Sequence, residues 1–429
     1  MTRAKWQMRF RSWSGRRSWS GRVALLAGAA MLLAACSDDS TKESNPLDPK
    51  GDVANRQIGL LEFWMIPAGL IGVLIIGATV YVALRFRERP GNENPVQVHG
   101  NSVLEIGWTI IPALIMVAMA VPTVSLIWDL DASSAELEAK YDQEPLEVIV
   151  YGKQWWWEYQ YTNLNALDGS IDFQVNTANE LHIPANRPVQ FTLRSDNVIH
   201  SFWVPSFAGK KDVVPGRDNQ MWFIADDDDV GQWFYGQCVE YCGLSHADMR
   251  LKVKVHSEAD FLTWAKEQNQ IWSPARAAES NELLGKWGCA SCHYMGGTNP
   301  DSDAALRDGS GANVRTGPNL THLPSRTTFA GAKYDLCDEN GENCDVDKLA
   351  EWVLHAGELK PNQCDKGVEK STERCKGMPT FEKSGMTPDE AREIAEFLLQ
   401  VDNVEPSEVP PTTVATETSA ATDEAEDAQ

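Results

Sequence analysis

Two long uncharged stretches dominate the first third of this 429-residue chain. They cover residues 63–84 and 106–128, and each exceeds the ~20 residues that an α-helix needs to cross a bilayer. The segment between them carries three arginines, whereas acidic residues follow the second stretch. Because cytoplasmic loops carry the excess of basic residues, the pattern predicts a membrane hairpin over 58–130 with both ends outside the cytoplasm. Core helices of a soluble protein are the alternative.

Between residues 131 and 265 the apolar and polar positions alternate with period two. Short runs rich in β-branched and aromatic side chains are separated by Gly, Pro and Asn-Asp, which is typical of strands. The clearest runs are 146–151, 189–193, 219–224 and 249–255. Short strands at this spacing predict an all-β sandwich.

Helical periodicity returns after a predicted linker at 266–281 and indicates an all-α domain over 282–403. The helical runs are 280–287, 346–355 and 388–401. Residues 404–429 contain seven acidic residues and no basic one, and therefore predict a disordered tail.

The N-terminal segment, residues 1–35, contains seven basic residues and ends in an apolar run from Val23 to Ala35. At 13 residues this run is too short to span a membrane and suits a signal peptide. The sequence Leu33-Ala34-Ala35-Cys36 resembles a bacterial lipobox, which implies lipidation of Cys36, with a linker over 36–57 behind it. An ordinary signal peptide followed by a cysteine is the alternative.

The charge balance of the chain is strongly acidic, with 61 acidic and 38 basic residues and a net charge of −23. Since neutralising phosphates requires a surplus of Lys and Arg, this balance argues against a nucleic-acid partner. A hydrophobic fraction of 43% argues equally against wholesale disorder.

One group of metal-ligand residues follows a predicted strand: Cys238, Cys242, His246 and Met249, with His200 upstream. A mononuclear blue-copper site takes two His, one Cys and a weak Met. The second cysteine allows two thiolates to bridge two copper ions, in a centre without an open coordination position. Such a centre carries electrons rather than binding substrate. Structural zinc and a Cys238–Cys242 disulfide are the alternatives.

These residues also carry a family resemblance. His200-Ser-Phe-Trp-Val-Pro, Pro215-Gly-Arg217 and the run from Gly236 to Met249 resemble subunit II of the haem–copper oxidases, over roughly 55–260. The resemblance implies a two-helix transmembrane hairpin followed by a cupredoxin-like domain with a dinuclear CuA centre. The implied copper ligands are His200, Cys238, Cys242, His246, Met249 and the backbone carbonyl of Glu240.

The same resemblance implies three further roles. The Glu240 side chain would reach a Mg²⁺ or Mn²⁺ ion at the contact with subunit I. Trp155, in the aromatic stretch 154–157, would receive the incoming electron, and Glu105 would lie at the mouth of a proton channel. Ordinary core packing is the alternative for the tryptophans, and a charge at a helix end is the alternative for Glu105.

A second group, Cys289-Ala-Ser-Cys292-His293, has the C-x-x-C-H spacing of c-type haem attachment. A redox-active disulfide is the alternative. A closed haem needs a sixth ligand, for which Met378 and Met386 are the candidates. The run 377–381 resembles the loop that presents the axial methionine in class I cytochromes c, which favours Met378, and 316–320 resembles their proline segment.

Four further cysteines lie in an insertion over about 331–376 that small cytochromes c lack. Outside the cytoplasm disulfides are the default, and local closure predicts Cys337–Cys344 and Cys364–Cys375. A metal cluster is the alternative. The sequence indicates no function for this insertion.

Taken together, the chain resembles the subunit II–cytochrome c fusion of caa3-type oxidases in a bacterial membrane. That resemblance implies electron transfer from haem c through CuA to subunit I, which reduces oxygen to water and pumps protons. The implied partners are subunits I and III, membrane lipid, and a cytochrome c or membrane cytochrome complex as donor. A nitric oxide reductase with the same electron module and a copper-handling assembly protein are the alternatives.

Overall fold

The structure is a computed structural model that describes residues 44–87, 100–296, 317–338, 341–364 and 376–400, and the backbone of 404–406. The predicted leader with Cys36, and most of the acidic tail, lie outside the described residues.

Two long helices form the membrane hairpin, α1 (Gly51–Arg85) and α2 (Ser102–Leu130). Both are apolar and long enough to span a bilayer, and no side chain of α2 is buried within the protein. The Asn101 side chain caps α2 by accepting hydrogen bonds from two backbone amides of its first turn. Helix α1 begins at Gly51, inside the region predicted as a linker, because its first turn is buried against the β-domain.

Ten strands form two five-stranded sheets, which confirms the predicted sandwich. One sheet has the order β3-β2-β1-β5-β8 and the other β4-β10-β9-β6-β7. The strands are β1 (Leu146–Lys153), β2 (Trp156–Tyr161), β3 (Val175–Ala178), β4 (Glu180–Pro184), β5 (Val189–Ser195), β6 (His200–Trp203), β7 (Lys211–Val213), β8 (Asn219–Phe223), β9 (Trp233–Cys238) and β10 (Arg250–His256). The helix α3 (Ser134–Tyr141) precedes them. Large side chains such as Trp157, Phe191 and Phe202 fill the space between the sheets.

The segment predicted as a linker at 266–281 has regular structure instead. It contains the end of α4 (Glu258–Gln268), strand β11 (Gln270–Trp272) and most of α5 (Pro274–Leu283). Strand β11 pairs with β14 (Val404–Pro406), so the first residues of the predicted disordered tail form backbone hydrogen bonds. The prediction missed this pairing because it joins segments more than 130 residues apart, which local composition does not record.

The C-terminal region contains two further helices, α6 (Val346–Leu359) and α7 (Pro388–Leu398), which pack against each other. Two short strands, β12 (Thr328–Phe329) and β13 (Tyr334–Asp335), pair beside them. The predicted Cys337–Cys344 disulfide is confirmed. Cys364 is also disulfide-bonded, and Cys375 lies outside the described residues, so its pairing stays a prediction.

A buried ion-pair group fixes the end of β1 against its neighbours. Lys153 Nζ lies 2.8 Å from Glu158 Oε2 and 2.9 Å from Asp196 Oδ2. Burial by itself raises the pKa of Glu158, but the Lys153 ammonium and the side-chain amides of Asn176 and Gln160 together outweigh burial and hold this pKa below its ordinary value.

We expect Glu158→Gln to destabilise the sandwich by about 3 kcal/mol, or roughly 10 °C in Tm, because it leaves a buried ammonium with one carboxylate fewer. Tm is measured on the detergent-purified chain by tryptophan fluorescence. The carboxylate's contribution is present above about pH 4.3 and is lost as the pH falls, so the variant should show a flatter acid limb.

The matched control is Glu351→Gln, which removes the exposed partner of Lys348. An exposed pair of this kind contributes about 0.5 kcal/mol, so its Tm should barely change. Equal Tm values for both variants would contradict the assignment of a buried ion-pair group.

Candidate functional site

Two strands of one sheet bring the first metal-ligand residues together. His200 begins β6 and Cys238 ends β9, and these two strands are hydrogen-bonded neighbours. His200 Nδ1 lies 3.9 Å from Cys238 Sγ, and both side chains are buried. The sheet register therefore brings His200 and Cys238 together without any contribution from the loop that follows.

The copper loop, which we define as residues 238–249, supplies the remaining candidate ligands. Cys242 Sγ lies 3.9 Å from Cys238 Sγ, 3.6 Å from His246 Nδ1 and 3.8 Å from Met249 Sδ. The carbonyl oxygen of Glu240 lies 3.2 Å from Cys238 Sγ. All six donors predicted from the sequence thus occupy one cluster.

The two thiols in this cluster cannot easily both ionise. The hydrogen bond that Cys238 shares with Cys242, together with His200, lowers the pKa of Cys238 to about 3. The same hydrogen bond, together with burial, raises the pKa of Cys242 far above its ordinary value. The cysteines are not disulfide-bonded, so a second thiolate at this distance requires a cation to balance it.

The imidazole of His200 is oriented by its neighbours. Its Nε2 lies 3.1 Å from Asn197 Oδ1, which directs Nδ1 toward the thiol pair. Gly152 packs against the ring, and a Cβ at this position would lie 2.8 Å from His200 Cδ2. A glycine is therefore required where β1 passes the imidazole.

Trp155 joins the copper loop to a second site. It is 3% exposed, and its indole Nε1 donates to the carbonyl oxygen of Cys242 at 3.1 Å. Gln154 Nε2 donates to the same oxygen at 2.7 Å. Trp157 instead packs in the core, edge-on to Phe202, as the alternative for that position anticipated.

The second site is a cavity whose wall includes Cys289, Cys292, His293 and Met378. Met386 lies in the apolar core of the C-terminal region rather than on this wall. Trp155 and Trp156 also line the cavity, so the residue that is hydrogen-bonded to Cys242 also forms part of the wall beside the C-x-x-C-H group.

The surroundings of His293 suit an axial ligand. Its Nδ1 lies 2.8 Å from the Pro318 carbonyl, a hydrogen bond that fixes the ring. A Cβ at Gly317 would lie 2.6 Å from His293 Cε1, so only glycine fits beside the ring. Burial raises the pKa of Cys289 to about 11, whereas an attacking cysteine in a redox disulfide has a lowered pKa.

Comparison with known proteins adds the family. The model described as cytochrome C oxidase subunit II, transmembrane domain, matches 51–126, and the model of its periplasmic domain matches 146–256. Cytochrome c oxidase subunit 2 of Bacillus subtilis (strain 168) is 32% identical over 79% of this chain and 89% of its own length. The chain belongs to the cytochrome c oxidase subunit II family.

A further relative and one solved domain are also similar to this chain. Cytochrome c oxidase subunit 2 of Bacillus sp. (strain PS3) is 34% identical over 79% of this chain and 89% of its own length. The crystal structure of the periplasmic domain of subunit II of cytochrome oxidase from Bradyrhizobium japonicum is 32% identical, with a TM-score of 0.25, and covers 29% of this chain and 92% of that one. This subunit II is thus a membrane protein with its redox domain outside the cytoplasm.

Two residues of this subunit II contact the site although no sequence pattern indicated them. Gln154 donates to the Cys242 carbonyl, and Lys360 reaches the Trp155 carbonyl from the C-terminal region. Burial lowers the pKa of Lys360 to about 7, an effect that the nearby Asp248 partly opposes. The sequence does not show which segment the insertion packs against, so spacing alone cannot assign Lys360 to this site.

The side chains of the two predicted carboxylates, Glu105 and Glu240, lie on separate elements. Glu105 is exposed in the first turn of α2, and Glu240 is half-buried in the copper loop.

We expect Gly152→Ala to displace His200 and weaken copper retention roughly 10- to 100-fold, as changes beside metal ligands commonly do. Copper content after graded chelation measures the effect on the purified chain. Gly169→Ala is the control, because nothing lies within 4 Å of the added Cβ. Equal retention in both variants would contradict a metal role for His200.

Proposed function

We propose that this subunit II accepts electrons at a covalently attached haem c and passes them through a dinuclear copper centre to subunit I. Subunit I would reduce oxygen to water and pump protons, so the chain is the electron-accepting subunit of a caa3-type enzyme. The proposal rests on one observation above all: the C-x-x-C-H group and Met378 line a cavity whose wall includes Trp155, and Trp155 is hydrogen-bonded to Cys242.

The donor set fits the copper ions. Cys238, Cys242, His200 and His246 would hold them, with Met249 and the Glu240 carbonyl as weaker ligands. Two thiolates 3.9 Å apart need the positive charge that such ions provide. The copper and haem groups, when bound, each supply a one-electron redox couple.

The chain's own groups fit the haem equally well. Cys289 and Cys292 would attach the haem, and His293, held by the Pro318 carbonyl, would be an iron ligand. Met378 lines the same cavity and would be the other iron ligand. The region 282–403 would then be a cytochrome c domain joined to the cupredoxin-like domain.

Trp155 is the residue that connects the two groups. Its indole lines the cavity on one side and donates to the Cys242 carbonyl on the other. Trp155 would therefore connect the two groups through contacts that the fold already makes, the cavity wall on one side and the Cys242 hydrogen bond on the other.

Two carboxylates complete the proposal. Glu105, exposed at the start of α2, would pass protons toward subunit I, and Glu240 would bind Mg²⁺ or Mn²⁺ where the copper loop meets that subunit. A soluble cytochrome c or a membrane cytochrome complex would deliver the electrons, and subunit III and membrane lipid would be the other partners.

The purified chain should show a haem c α band together with a near-infrared band from mixed-valence copper. Met378→Leu should lower the haem potential on the order of 0.1 V, a fraction of the ~0.8 V that axial ligands span. Met386→Leu is the control, because Met386 is buried in the core. A copper-supplied chain without the near-infrared band, or equal potentials in both variants, would contradict the site assignment.

The oxidase complex that carries this subunit should turn over oxygen. The complex is captured through a tag on the chain in detergent and assayed with oxygen and with nitric oxide under the same donor. Turnover of nitric oxide alone would contradict the oxidase proposal. It would indicate a nitric oxide reductase that uses the same electron module.

A further inference from the structure

The insertion at 331–376, to which the sequence assigned no function, contacts the copper loop. We infer that four of its residues, Gly331, Lys333, Lys360 and Pro361, form a clamp that holds the copper loop and Trp155 in the geometry needed for electron transfer. The clamp rests on the proposed function, but its contacts stand independently of any bound group.

Lys360 is the centre of the clamp. Its Nζ donates to the carbonyl oxygens of Trp155 at 2.7 Å, Asp248 at 2.9 Å and Ala330 at 2.7 Å. The three acceptors belong to the turn after β1, the copper loop and the C-terminal region. In its protonated form this buried side chain has three protons, one for each of the three carbonyls, and so ties the three segments together.

Gly331 allows the segments to approach so closely. A Cβ at this position would lie 2.3 Å from Lys360 Nζ and 2.9 Å from the carbonyl oxygens of both Asp248 and Trp155. Its φ of +77° also disfavours any side chain. The carbonyl of Gly331 accepts from the Arg250 amide at 3.0 Å, directly after the last candidate copper ligand.

The outer clamp contacts reach the same loop. Lys333 Nζ lies 2.9 Å from Asp248 Oδ2, and the Ser245 hydroxyl donates to the carbonyl oxygen of Pro361. The clamp therefore contacts the loop on both sides of His246. The short turn between Ser245 and Asp248 is held at both ends. It therefore has little freedom to carry the His246 imidazole away from Cys242.

Trp155 is restrained at both ends by this arrangement. Its carbonyl accepts from Lys360, and its indole donates to the Cys242 carbonyl. We assign Lys360 as a positioning residue, since it acts through Trp155 and the copper loop rather than on the redox groups themselves.

A separate contact keeps the C-terminal region docked without the clamp. The buried Glu180 carboxylate accepts hydrogen bonds from the Thr327 amide and hydroxyl and from the Thr328 hydroxyl. Removing a clamp residue should therefore loosen the copper loop locally rather than detach the region.

The test is Lys360→Met in the full chain, purified with its redox groups. Amide exchange of a peptide that includes Arg250 should become at least about tenfold faster, because three charge-assisted hydrogen bonds are lost. The rate of electron equilibration between haem and copper after photoreduction should fall at least about tenfold, with both absorption bands retained. Gly331→Ala should reproduce both changes.

Lys348→Met is the matched control, because Lys348 lies in the same insertion but pairs with exposed Glu351. Both measurements should equal those of the unmodified chain. Lys333→Met removes the partly exposed ion pair with Asp248 and should change both measurements less than Lys360→Met does. It replaces Lys360→Met as the test variant if that variant does not accumulate.

Two results would overturn the clamp. One is unchanged exchange and unchanged electron transfer in both Lys360→Met and Gly331→Ala. The other is faster exchange throughout the sandwich and the C-terminal region alike, which would make Lys360 a general stabilising residue. If the unmodified chain lacks either band, the proposed function fails, and the exchange measurement still decides the clamp.

Discussion

The carbonyl oxygen of Cys242 accepts hydrogen bonds from Gln154 and Trp155, and much of the site depends on this shared acceptor. The oxygen belongs to the copper loop, whereas both donors belong to the turn between β1 and β2. This contact brings the end of one sheet onto the loop that follows the other. It also places the Trp155 indole at the wall of the C-terminal cavity, so one residue contacts both the copper loop and the cavity that contains the C-x-x-C-H group.

Burial makes these polar contacts decisive. Carbonyl groups and an ammonium removed from water must find partners or cost free energy, so each acceptor at this junction restricts where the neighbouring segment can lie. The same reasoning applies to the thiol pair. Cys238 ionises readily only while Cys242 keeps its proton, and when both ionise a cation must balance the second negative charge. Polar groups here specify geometry, while the apolar core of the sandwich supplies the stability.

Much of the architecture was predictable because it follows from periodicity. The membrane hairpin, the strands and the Cys337–Cys344 disulfide follow from run length, alternation and local closure, which are properties of neighbouring residues. The segment predicted as a linker at 266–281 contains regular structure that the sequence analysis did not predict, since β11 is completed by β14 from the far end of the described chain. Pairing of that kind depends on contacts that no local window contains.

The identity and spacing of a few residues establish which atoms are available for chemistry. The spacing of Cys238, Cys242, His246 and Met249, and the Cys289-Cys292-His293 group, identify thiolates and imidazoles whose reach is set by a few bonds. Only the tertiary structure decided that Trp155 lies between the two groups and that Lys360 ties three segments together. The physical reason is that a ligand motif is local, whereas the meeting of a carbonyl and a buried ammonium about 200 residues apart is fixed only by packing of the whole fold.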